Sequence, residues 1–124
     1  MNATGPGLVK YDPEKKSHVG LQLGLVSRET FWVIKSKGEV AEWFCLRKTA
    51  EPKHQHSKNP PCFTVKFEKG DACPFTIEQY ASDENGYASS SGVKPSVKPD
   101  LNKTYKYTVT VGSWEEDPTG GVEP

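Results

Sequence analysis

Tyr105-Lys106-Tyr107-Thr108-Val109-Thr110-Val111 alternates without a break. Tyr105, Tyr107, Val109 and Val111 fall on one side, and Lys106, Thr108 and Thr110 on the other. A period of two is that of a strand with one face in a core, expected over Thr104 to Val111, and aromatic and β-branched residues suit its pleated surface. Upstream, Val93 to Asp100 carries Pro95 and Pro99, which reads as extended but poorly paired chain. Before that, Cys62 to Glu68 repeats the alternation, with Phe63, Val65 and Phe67 opposite Thr64 and Lys66. Lys69-Gly70-Asp71 supplies a turn into a further strand from Pro74 to Tyr80, with Pro74 at its first position because it cannot donate to a ladder.

The N-terminal half reads the same way. Val19, Leu21, Leu23 and Leu25 alternate with Gly20, Gln22 and Gly24. Thr30 to Lys37 has apolar residues on both faces, Phe31 and Val33 against Trp32 and Ile34, as in a strand covered on both sides. Lys37-Gly38 reads as a hairpin turn into Val40 to Arg47, where Trp43 and Cys45 share a face. Thr49 to Pro61 is a polar loop with three prolines, and Ser82 to Gly92 is a second polar loop. No long segment has a strong helical period. The expected fold is all-β, an antiparallel two-layer β-sandwich, with a small β-barrel as the alternative. Residues 1–18 read as an extended lead-in, 19–112 as the sandwich domain and 113–124 as a C-terminal tail.

The chain resembles small bacterial immunoglobulin-like or cupredoxin-like sandwich domains of unknown function. The resemblance rests on Phe63-Thr64-Val65-Lys66-Phe67, Pro74-Phe75, Ser91-Gly92, Tyr105 to Val111 and Asp117-Pro118, across the second half of the chain. It implies a sandwich and says little of activity, since one fold hosts many functions. The copper chemistry of cupredoxins needs a cluster of Cys, His and Met near the last strand. Here no His follows His56 and the sole Met is Met1, so type-1 copper is not expected.

The 124 residues suit one domain. Acidic and basic residues balance at 16 each, which argues against a general nucleic-acid binder and against attraction to anionic membranes. A mild basic-aromatic surface from Lys94, Lys98, Lys103, Lys106, Tyr105 and Tyr107 is the residual nucleic-acid signal. No apolar run approaches the length of a membrane span. With no basic n-region or apolar h-region visible, the expectation is a cytoplasmic protein with reduced thiols.

Three constellations bear chemistry. His54, His56 and Cys62 offer two imidazoles and a thiolate, suited to zinc or copper, although a second close ligand pair is missing. Cys62 beside those histidines is also the candidate nucleophile of a small cysteine-dependent enzyme, without an identifiable oxyanion site. Trp114, at the end of the last predicted strand, with Tyr105 and Tyr107, marks a candidate partner-binding surface. With no catalytic set in view, the expected function is a non-enzymatic binding or assembly module, acting on another protein or by self-association. Metal binding and cysteine catalysis are the alternatives.

Overall fold

The computed structural model describes residues 9–46 and 61–124. They form β1 (His18–Gln22), β2 (Leu25–Val26), β3 (Thr30–Ile34), β4 (Glu42–Cys45), β5 (Thr64–Phe67), β6 (Gln79–Ala81), β7 (Tyr87–Ser89), β8 (Tyr105–Val111), β9 (Trp114–Glu116) and β10 (Thr119–Glu123). One sheet has the order β2-β1-β4-β7. The other runs β3-β10-β8-β5-β6, with β9 also paired to β8. The sheets do not close on each other, so the all-β sandwich holds and the barrel alternative does not. Most pairings are antiparallel. Two are parallel, β1 with β4 and β3 with β10, which alternation within single strands does not reveal.

The core lies between the layers and is aromatic. Trp43, Phe31, Phe63, Phe67, Phe75 and Tyr107 are all fully buried, alongside Val19, Leu21, Val33, Val65 and Val109. Each such side chain contributes roughly 1.5–3 kcal/mol by leaving water. The rings meet edge-on or tilted: Phe31 with Trp43 at 5.9 Å between centroids, and Phe67 with Phe75 at 5.6 Å. Among the described residues, no buried side-chain nitrogen or oxygen lacks a hydrogen-bond partner. No helix among them is long and apolar enough to cross a membrane.

Several expectations are corrected. Residues 113–124 are not a tail: β9 and β10 lie in them, and β10 sits between β3 and β8 inside its sheet. Gly120 and Gly121 hide this strand from a pattern search, yet their lack of side chains makes room for the rings of Phe31 and Trp32 across the parallel ladder. The loop at Ser82 to Gly92 contains β7, paired to β4. Lys37-Gly38 is no hairpin turn, because β3 and β4 belong to different sheets; Gly38, with φ 68°, follows a 3-10 turn at Lys35–Lys37 and takes the chain across. The strand expected at Pro74 to Tyr80 is confined to β6, and Phe75 instead makes a single bridge to Val93.

The thiols also differ from expectation. Cys45 and Cys62 form a disulfide, with Cα atoms 6.3 Å apart. They lie on different sheets, at the end of β4 and just before β5, and the sandwich brings these two ends to the same edge. Cys73 is free and buried; its Sγ lies 3.4 Å from the carbonyl oxygen of Phe75.

Candidate functional site

Two tight turns build one end of the sandwich. β8 passes into β9 through Gly112-Ser113, with Val111 paired to Trp114. Gly112 has φ 61° and no non-glycine residue among the described ones has positive φ, so Ser113 does not, the pattern of a type II′ hairpin turn. The other turn, Leu23-Gly24, joins β1 to β2, and its Gly24 has φ 82°. The turns touch: a Cβ built on Gly112 would lie 3.9 Å from the Leu23 side chain. The Cys45–Cys62 bridge is at the same end, since Leu21 near the close of β1 pairs with Cys45.

The result is an apolar surface that folding leaves uncovered. Leu23 is 64% exposed and Leu25 41% exposed. Trp114 is half-buried, its inner side packed on the core with Val26. Leu25, Val26 and Trp114 line a cleft of about 300 Å³ between β2 and β9, with Glu29, Glu116 and Asp117 at its border. Scattered apolar residues are normal on a surface; here Leu25 and Trp114 share one cleft and Leu23 lies against the neighbouring turn, which makes this end the candidate site. The period-two reading placed Leu23 and Leu25 in one row of a strand with Val19 and Leu21. The turn at Gly24 breaks that row and turns both side chains to solvent.

Of the expected site residues, Trp114 is at this surface and the tyrosines are not. Tyr105 is 6% exposed and Tyr107 1% exposed, both on the inner face of β8. Burial also pushes the Tyr107 hydroxyl well above its ordinary pKa. The partner role given to them is therefore corrected to packing. The basic-aromatic surface fails for a related reason. Lys94, Lys98 and Lys103 do border one cleft with Tyr105, but Asp71 and Asp100 share it. The Lys103 Nζ also covers the Tyr105 ring at 5.1 Å, leaving no open face for a base to stack on.

His54 and His56 lie outside the described residues. Cys62 is covalently bound to Cys45, so while that bond stands its sulfur is neither a thiolate ligand nor a nucleophile. Among the described residues, no group of three or more His, Cys, Asp or Glu is placed to hold a metal. Cys73 keeps its thiol, but burial pushes its pKa up, which disfavours the reactive thiolate.

A polar cluster that the sequence did not announce lies on the outer face of the four-stranded sheet. His18, 1% exposed, places Nε2 3.0 Å from a Glu42 carboxylate oxygen. The other oxygen accepts from the Tyr87 hydroxyl at 2.7 Å. The backbone N–H of Asp12 donates to His18 Nδ1, so neutral His18 carries its proton on Nε2. Tyr11 and Phe44 close over it, with the His18 and Phe44 rings 4.7 Å apart. Every polar atom here is partnered within the protein, and the cluster fastens the segment before β1 to the sheet.

No protein-family model matches the chain, and neither a curated protein nor a solved structure does.

Proposed function

We propose that this chain is a non-enzymatic binding module that docks a partner protein at the sandwich end formed by Leu23, Leu25 and Trp114. The observation that carries this is the exposure of two leucines beside a half-buried tryptophan, over a cleft between two sheet edges. A Trp anchor with an aliphatic surround is the usual composition of an interface centre. Within the sandwich class, an immunoglobulin-like or cupredoxin-like relationship is a further part of the proposal and rests on the sequence resemblance in the second half of the chain.

The Cys45–Cys62 bond supports a further element of the proposal, an oxidising compartment in place of the reducing cytoplasm suggested by the bare sequence. Metal binding through His54, His56 and Cys62, or catalysis by Cys62, would first require that bond to be reduced.

The test is partner capture with matched surface variants. Leu23→Ser and Leu25→Ser alter exposed side chains and are expected to leave the melting temperature within a few degrees of wild type. A partner held by the wild type and released by both variants supports the reading. Equal capture by wild type and variants removes it.

A further inference from the structure

The hydrogen-bond phase of β9 leaves one of its edges open. β9 and β10 share a single register with β8, in which Val111 faces Trp114, Val109 faces Glu116 and Lys106 faces Thr119. The N–H of Tyr107 donates to the carbonyl of Pro118 at 3.0 Å, which fixes the pairs that bond directly across this ladder. Alternate residues, Glu115, Asp117 and Thr119, therefore turn their backbone groups away from β8. Thr119 uses them: its N–H donates to the carbonyl of Glu29 at 2.9 Å, where β3 begins. Beyond that point the chain from Glu29 back to β2 bends into the other sheet. The outward backbone groups of Glu115 and Asp117 consequently have no hydrogen-bond partner among the described residues. The space where a neighbouring strand would run is the cleft between β2 and β9.

Side chains set what such a strand would carry. Trp114 and Glu116 share the inward face with Val111 and Val109, their cross-strand neighbours. The inner wall of the cleft is thus apolar at Leu25, Val26 and Trp114, and anionic at Glu116 and Glu29. No basic residue lines it, and neither glutamate forms an ion pair among the described residues. The Asp117 carboxylate accepts a bond from the Thr108 hydroxyl at 2.8 Å and stays on the outer face.

We infer that the occupant is an extended segment of a partner protein, added as a strand along β9. It seats an apolar side chain between Leu25 and Trp114, and a Lys or Arg two residues along against Glu116 and Glu29. This rests on the proposed role of the Leu23, Leu25 and Trp114 end as a binding surface. Main-chain bonds to Glu115 and Asp117 would supply affinity, and the alternate side chains selectivity. The glutamates, which form no ion pair among the described residues, gain a counter-charge on binding, and attraction across such a rim weakens with salt.

Selection of random peptides on the intact protein tests this. Enriched sequences are expected to carry an apolar residue and, two positions on, Lys or Arg. Their affinity should fall about tenfold with Glu116→Lys and be lost when the pairing peptide amides are N-methylated. Leu25→Ser reports separately on the surface. Peptides released by Leu25→Ser but indifferent to Glu116→Lys and to N-methylation would overturn the strand and its cation while keeping the binding surface. Peptides indifferent to all three changes, or no enrichment, would overturn both. A dimer in sedimentation that Leu25→Ser dissociates would make the occupant a second copy of this chain, and would overturn its assignment to another protein.

Discussion

The indole Nε1 of Trp43 donates to the hydroxyl of Tyr107 at 3.2 Å, tying the two sheets together through the centre of the core. Each is the other's polar partner in a site closed to water. Tyr107→Phe keeps the packed ring and strands the indole N–H. The expected loss is about 1–3 kcal/mol, read as a lower urea midpoint at unchanged slope.

A second expectation concerns alkaline pH. Burial, reinforced by the Glu42 carboxylate, pushes Tyr87 from an ordinary 10.0 up to about 12. Burial likewise raises Tyr80. Between those two values the unfolded chain has lost the Tyr87 proton and the folded chain retains it. Unfolding then releases a proton, so stability falls as pH rises through that window, and the Tyr87 contribution is fully present below it. Urea midpoints measured up to pH ~11 should decline, and Tyr87→Phe should make the decline shallower. A flat profile would contradict this account.

Reduction of the Cys45–Cys62 bridge opens a loop with a sequence separation of 17. Loss of a constraint on a loop of that length is expected to lower stability by about 3 kcal/mol. Thiol titration of the unfolded, unreduced protein should find one reactive group, Cys73, and three after reduction. Three before reduction would show that the bridge is not formed.

Gly120 and Gly121 should respond differently to alanine. A Cβ on Gly120 meets the ring of Phe31, which is fully buried and cannot move without disturbing Trp43 and Tyr107. A Cβ on Gly121 meets the ring of Trp32, half-buried on the outer face and able to swing toward solvent. Gly120→Ala is expected to cost about 1–3 kcal/mol as an overpacked core substitution. Gly121→Ala should cost clearly less. Thermal melts of the two variants compare them directly.

Much of the layering can be read from the sequence because it depends on local alternation. β8 covers all but the first residue of the span expected at Thr104 to Val111, and the buried rows Phe63/Val65/Phe67 and Tyr105/Tyr107/Val109/Val111 lie inward as their period requires. What escapes is whatever depends on a distant neighbour. β10 is specified by the aromatic rings of β3 lying over its glycines, and β7 by pairing with β4, so neither has a strong pattern of its own. The disulfide is illegible for the same reason: its cysteines come together only once the two sheets have stacked. At the candidate site, Trp114 was recognisable as an aromatic at a strand end. Leu23 and Leu25 were not, because their alternation runs unbroken through the turn at Gly24 that exposes both. The inward orientation of Tyr105 and Tyr107 follows from the same alternation that marks β8, and it is incompatible with a contact role.

The position of β10 governs when the molecule can assemble. Thr30 and Thr119, whose hydroxyls are 2.7 Å apart, lie 89 residues from each other along the chain. Among the described residues β3 has no other strand neighbour, and β8 is paired at Tyr105 and Lys106 by β10 alone. A chain that stops short of β10 therefore cannot complete its larger sheet. Until β10 is in place, the edges of β3 and β8 that it joins stay available for intermolecular strand pairing. Closure of this sheet is a pairing of long sequence separation, which is intrinsically slow to form.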